Sequence, residues 1–286
     1  MSKNRNEFLY PIWDKMEKDL SKDFPLNELA FFSTYSPWHF HRLFRSFQKE
    51  NVKDYIRRLR LEKAAYELKT TSFPILEIAM ESGYTSQEAF TKAFRKALGI
   101  TPKQFRERYA KHKKMPFTFS LGEEFGIRNE DFHIKKISAF TLLYRRHIGP
   151  YEMMPGFPED SNFLKPFSNW LETTRQTMES CKWIGISQDD PQITKASQIR
   201  FDFGTPVPVK TIPPAGLGLQ KVPSGDRLQI RVRLPYSKLP DVYTLLLEDF
   251  FPKYSRRLAN LAPFEVYLDR KNLETPITDL YFPLRE

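Results

Sequence analysis

The sequence predicts an all-α N-terminal double helix-turn-helix domain of about seven helices, followed by an α+β domain of paired β-α-β-β units. Three observations predict it. The spacing of apolar residues changes from helical to alternating across residues 113–126, each half repeats within itself, and the excess positive charge sits in one half. At 286 residues the chain is long for one domain and comfortable for two. The expected division is 1–112, a linker over 113–126, and 127–286.

In the first half Phe40, Leu43, Phe44 and Phe47 recur at helical spacing, as do Tyr55, Ile56 and Leu59. Pro25, Pro37, Pro74 and Pro102 stand where helices begin, the place where a missing N–H costs nothing. Asp23, Ser36, Ser72 and Thr101 are read as the capping side chains. Ser36, Phe40, Phe44 and Arg45 recur fifty residues later as Ser86, Phe90, Phe94 and Arg95. Leu29-Ala30 recurs as Ile78-Ala79 at an offset of forty-nine, so the second turn holds one extra residue.

Charge gives this repeat a partner. Residues 1–114 hold 23 Lys/Arg and 14 Asp/Glu, a balance of +9; residues 115–286 hold 22 and 21, a balance of +1. The basic half is therefore suited to a polyanion. Burying Phe40, Phe44 and Phe47 turns Trp38, His41, Arg42 and Arg45 outward on the first second-helix, and the later copy presents Gln87, Glu88, Thr91, Lys92 and Arg95. In a helix-turn-helix this second helix enters the major groove of double-stranded DNA. Arginine suits guanine, Gln87 suits adenine, and Trp38 offers apolar contact to thymine methyls. Two units joined by a helix over about 52–69 would reach grooves ~34 Å apart. His39 and His41 do not share a helix face, so no metal is expected there.

The second half alternates. Leu228, Ile230, Val232 and Leu234 interleave with polar residues, as do Phe264, Val266 and Leu268 with Glu265, Tyr267 and Asp269, predicting half-buried strands. Helices are expected at about 163–180 and 239–258. Pro150-Tyr151 before one helix echoes Pro235-Tyr236 before the other. There is no phosphate-cradling glycine loop, Cys/His cluster or nucleophile-elbow serine, so no cofactor or metal is expected. Glu265 beside Tyr267 would suit a lipophilic cation if that side lines a cavity. It would equally be a solvated glutamate, or one paired with an arginine such as Arg200. The lone Cys181 and the absence of an apolar run of ~20 residues fit a protein of the cytoplasm without a membrane span.

The run Leu29-Ala30…Ser36-Pro-Trp-His-Phe-His-Arg-Leu-Phe-Arg45, Tyr55-Ile-Arg-Arg-Leu-Arg-Leu61, Pro74-Ile-Leu-Glu-Ile-Ala79…Gly83-Tyr84…Phe90…Phe94…Gly99-Ile-Thr-Pro102…Phe105-Arg106 resembles the AraC/XylS-family DNA-binding domain. The resemblance is to the Rob-like subgroup, which carries an effector domain after it. It implies base contacts at Trp38, His41, Arg42, Gln87, Glu88 and Lys92, a promoter as target, RNA polymerase as partner, and a nucleoid location. His41 and Glu88 stand where relatives usually have Gln, and Lys92 where they have Arg. Gly149-Pro-Tyr-Glu152, Trp183-Ile-Gly-Ile, Arg200-Phe-Asp202 and Phe264-Glu-Val-Tyr267 resemble the GyrI-like small-molecule-binding domain. That likeness implies a cleft with Glu265 central and Tyr151 and Tyr267 as walls, binding a small-molecule effector. The second repeat reads Leu234-Pro-Tyr where Gly-Pro-Tyr is usual. The alternatives are a hydrolase of small electrophiles, as some GyrI-like proteins are, and an interaction domain without ligand.

Overall fold

The structure is a computed structural model that describes residues 7–111, 125, 127–153, 161–251, 258–259, 261–269, 272 and 274–285. The chain divides into two compact units, built mainly from residues 1–108 and 109–286. The linker expected over 113–126 lies, apart from Phe125, outside the described residues.

The first unit is helical: α1 (Leu9–Glu17), α2 (Leu26–Phe32), α3 (Pro37–Gln48), α4 (Val52–Thr70), α5 (Ile75–Glu81), α6 (Gln87–Leu98) and α7 (Pro102–Lys111). Its core follows the periodicity. Phe40, Phe44, Phe90 and Phe94 are fully buried, and Phe44 meets Tyr55 edge-on at 5.5 Å as Phe94 meets Phe105. The repeat therefore extends into the helices that follow, with Tyr55 and Phe105 fifty residues apart. Capping differs in part from expectation. Ser36 and Ser86 accept from the amides of His39 and Ala89, and Thr101 and Gln104 cap each other reciprocally. Asn51, not foreseen, caps α4 through the Asp54 amide. Asp23 and Ser72 cap nothing: Pro25 and Pro74 are themselves the N-cap residues, in extended conformation, and neither α2 nor α5 has a side-chain cap.

The extra residue in the second turn is Thr85. Both first helices end alike, with Tyr35 donating to the Ala30 carbonyl at 3.2 Å and Tyr84 to Ala79 at 3.0 Å. This ending requires a left-handed residue, which is Gly83 (φ 79°) in one copy and Thr34 (φ 60°) in the other. The second helices repeat the contrast, with Gly99 (φ 81°) against Lys49 (φ 60°). A β-branched side chain in this region is strained. Thr34→Gly is therefore expected to raise the urea midpoint of the helical unit, stabilising it by about 1 kcal/mol; a lowered midpoint would contradict the strain.

The second unit is one eight-stranded antiparallel sheet with helices on one face. Its elements are β1 (Phe132–Ile137), β2 (Phe140–Ile148), α8 (Ser161–Thr174), β3 (Trp183–Ser187), β4 (Arg200–Val207), β5 (Gly218–Val222), β6 (Gly225–Arg233), α9 (Leu239–Leu245, running on as a π-helical turn over Leu246–Phe250), β7 (Phe264–Asp269) and β8 (Ile277–Pro283). The strand order is β1-β6-β8-β7-β3-β4-β2-β5. Two β-α-β-β units are visible in it, β2-α8-β3-β4 and β6-α9-β7-β8, joined where β3 pairs with β7. Their leading strands are exchanged: β1 pairs with β6 of the second unit, and β5 lies beside β2 of the first.

The first helix is shorter than expected, because Arg175 turns left-handed (φ 56°) directly after α8. The second is helical through Phe250, and residues 252–257 of its expected span lie outside the described residues. The strands are also less simply half-buried than alternation suggests. Both faces of β7 are covered, because Phe264 stacks on Tyr281 at 4.7 Å on one side while Glu265 is buried on the other. Leu268 is exposed, at a register shift between Tyr267 and Asp269.

Candidate functional site

Each unit holds one group of candidate residues. In the first, α3 and α6 bury phenylalanines and turn their other faces outward. Trp38 is 69% exposed, Arg42 and Arg45 are exposed, and His41 is half-buried. The Arg42 guanidinium lies 4.8 Å from the centre of the Trp38 ring, a cation–π contact that holds the arginine near the start of the helix. His39 is occupied otherwise, stacked on Tyr35 at 5.0 Å. On α6, Gln87, Glu88, Thr91, Lys92 and Arg95 line one shallow open depression together with Lys96 and Thr101. The Glu88 carboxyl is held below its ordinary range by its own backbone N–H and by the Ser86 hydroxyl, so this residue stays anionic at the helix start.

In the second unit, Glu265 and Tyr267 on β7 face the side of the sheet that bears the helices. Their cross-strand partners on β3 are Gly185 and Trp183. Phe203 and Tyr267 lie 6.0 Å apart, and α8 leans on the same face through Phe167 against Trp183 at 5.2 Å. On the far side α9 brings Tyr243 to 5.4 Å from Phe282. The Tyr267 hydroxyl donates to Glu265 Oε2 at 2.6 Å, and Ser187 donates weakly to Oε1 at 3.4 Å. Tyr236 meets Tyr267 edge-on at 5.3 Å, and Tyr151 meets Phe201 edge-on at 6.0 Å while donating to the Asp189 carbonyl at 2.8 Å.

What separates Glu265 from its neighbours is its charge balance. Asp202 is forked by Arg146, Asp279 by Arg231, Asp131 by Arg233, and Asp189 by Arg200, with N···O distances between 2.7 and 2.9 Å. Arg200 thus serves Asp189 and not Glu265. Among the described residues of this unit, Glu265 is the buried carboxylate without a cation beside it. Burial raises its pKa above the ordinary value, and the hydrogen bond from Tyr267, with the hydroxyls of Tyr243 and Ser187 close by, only partly opposes this. Burial and the Glu265 charge in turn push the Tyr267 and Tyr243 hydroxyls well up.

Gly185 makes the arrangement possible. A Cβ there would stand 2.3 Å from Phe201 Cζ and 2.5 Å from the Tyr267 hydroxyl oxygen. Gly185→Ala is therefore expected to displace Tyr267 from Glu265 and destabilise the unit by roughly 1–3 kcal/mol. An unchanged thermal midpoint would show that both rings move aside freely.

With this geometry in view, comparison with known proteins decides the family. Residues 29–108 match a helix-turn-helix domain family, and residues 130–285 match the GyrI-like small molecule binding domain. The regulatory protein SoxS of Escherichia coli is 46% identical over 88 residues, covering 30% of this chain and 82% of SoxS. The chain belongs to the AraC/XylS family. The transcriptional activator AarP of Providencia stuartii is 37% identical over 95 residues, covering 33% of this chain and 69% of AarP. The right origin-binding protein of Escherichia coli is 38% identical over 95 residues, covering 33% of this chain and 32% of that protein. This AraC/XylS-family chain is thus a DNA-binding transcription regulator with a GyrI-like domain after its helix-turn-helix half. No helix among its described residues is long and apolar enough to cross a membrane.

The sequence singles out Glu265, Tyr267 and Tyr151 as candidates, and the structure adds Tyr243, Tyr236, Ser187 and Gly185 as their neighbours. Tyr236 had a signal, since it repeats Tyr151 after a proline. Arg146–Asp202 and Arg231–Asp279 also occupy equivalent strands, β2–β4 and β6–β8, a correspondence that the repeat contains but that only the strand register displays.

Proposed function

We propose that this regulator reads a promoter through both recognition helices and senses a small lipophilic cation in the cleft around Glu265. Trp38, His41, Arg42 and Arg45 serve the first half-site, and Gln87, Glu88, Thr91, Lys92 and Arg95 the second. Glu265, Tyr267 and Tyr151 bind the effector. RNA polymerase is the partner implied by the family, and the cytoplasm the place of action.

The observation that carries the effector reading is the buried Glu265 carboxylate, which has aromatic neighbours and, among the described residues, no arginine, whereas the other buried carboxylates described in this unit each have one. A buried charge without a partner is costly, and a ligand cation lowers that cost while tyrosine rings face it. For DNA the support is the exposure of the basic and polar residues on two equivalent helices. Glu88 accepts from cytosine N4 in this reading, so Glu88→Gln moves preference at that position towards adenine.

The test is capture of sheared genomic DNA by full-length protein at about 0.15 M salt, with and without a lipophilic aromatic cation. Discrete promoter peaks whose recovery changes with the cation support the reading. Diffuse retention independent of sequence would overturn the promoter half, and peaks insensitive to every cation that binds would overturn sensing.

A further inference from the structure

The surroundings of Glu265 hold more hydrogen-bonding capacity than a bare charge needs. Glu265 Oε2 takes the Tyr267 hydroxyl, but Oε1 has only the long contact from Ser187. An ionised carboxylate offers about four acceptor positions, so most of the capacity on this buried group is open. Thr278, fully buried on β8, stands directly across from Tyr267 in the strand register, and its Oγ1 has no hydrogen-bond partner. The Tyr243 hydroxyl is likewise buried, close enough to Glu265 and Ser187 to feel both, yet it completes a hydrogen bond of good geometry with neither. Two orphaned hydroxyls, one on β8 and one on α9, and a half-used carboxylate on β7 therefore lie on the helix-bearing side of the sheet.

Orphaned buried polar groups are rare and costly. They are also poorly matched to a fully alkylated cation, which presents only C–H groups and would leave all of them unpaired. Resting on the cation-cleft reading above, we propose that the effector class is a protonated amine on an aromatic body, with at least one N–H, and that quaternary ammonium ions are poor ligands. The N–H groups donate to the Glu265 Oε1 lone pairs, a charge-assisted bond stronger than a neutral one. Thr278 and Tyr243 turn their hydroxyl oxygens to a second N–H or to a further polar atom beside the amine. The aromatic body lies among Tyr267, Tyr236 and Tyr151.

The experiment uses full-length protein and two matched pairs of probes: 1-naphthylmethylamine and 4-phenylbenzylamine, both protonated at pH 7, each against its N,N,N-trimethyl derivative. Affinities are read by calorimetry. The expected result is that each primary ammonium binds about tenfold to a hundredfold more tightly than its trimethyl counterpart, the size of one hydrogen bond to a charged group. Thr278→Val and Tyr243→Phe, which remove orphaned hydroxyls at nearly constant shape and so should fold, are expected to narrow that ratio. Equal affinity within each pair, or tighter binding of the trimethyl ions, would overturn the proposal. If both members then lose affinity in Glu265→Gln, the cation cleft stands and only the amine preference falls. Absence of binding by all four, or binding indifferent to Glu265→Gln, would overturn the cleft and the proposal together.

Discussion

Glu265→Gln is expected to lower affinity for a lipophilic monocation by roughly a hundredfold, the scale of removing one partner of a buried charge pair, while making the unit more stable. The two effects have one origin. The carboxyl is buried with no cation beside it among the described residues, and burial raises its pKa above the ordinary value. Between the ordinary and the raised value the folded chain binds more protons than the unfolded one, so stability falls as pH rises through that window. Glutamine, neutral at every pH, lacks this penalty. The variant should thus melt higher than wild type at neutral pH, by about 2–4 °C for each kcal/mol gained, and the difference should vanish in acid below the ordinary carboxylate range. Cation affinity of wild type should run the other way, weakening as pH falls and the carboxylate is protonated, whereas the variant's weak binding stays flat. A variant that melts lower at neutral pH would mean that Glu265 is a structural acceptor for Tyr267 and nothing more.

The second large effect concerns DNA. Arg42→Ala is expected to weaken binding to a specific promoter by roughly 1–3 kcal/mol, about tenfold to a hundredfold, and to relax preference at one base pair. Trp38→Ala should cost a comparable amount, because the ring supplies its own apolar contact and also holds the Arg42 guanidinium at 4.8 Å. For the same reason the double variant should lose less than the two single losses combined. Gel-shift titrations of the four proteins against promoter and random DNA measure both quantities. Losses that are equal on the two DNAs would assign these residues to phosphate contact, with no role in reading bases.

How much of this was legible beforehand depended on how local each cause is. The seven helices of the first unit were readable because Phe40, Phe44, Phe90 and Phe94 mark the buried stripe by spacing alone, and spacing is a property of one element. The caps were readable where a serine or threonine directly precedes the helix, at Ser36 and Thr101. They were misread at Asp23 and Ser72, because Pro25 and Pro74 take the cap position and exclude a side chain two residues earlier. Alternation on β7 was visible, but alternation cannot report that both faces are covered. That depends on Tyr281 and on the helices above, which are distant in sequence. The residues gathered around Glu265 come from strands, a helix and turns far apart in sequence, and only register brings Gly185 opposite it. The arginine that might have neutralised it was a sensible expectation, yet Arg200 forks Asp189 instead.

The exchange of β1 and β5 between the two halves of the sheet has a consequence for engineering. Each half lends its first strand to its sibling, so neither is self-sufficient: cut from the chain, one half would carry a dangling strand and an empty berth. Two identical halves in that condition would complete one another, as the partners of a swapped pair do. The seam between the halves is asymmetric, with Glu265 on one side and Gly185 on the other. Any attempt to split, permute or graft this domain has to move both lent strands together.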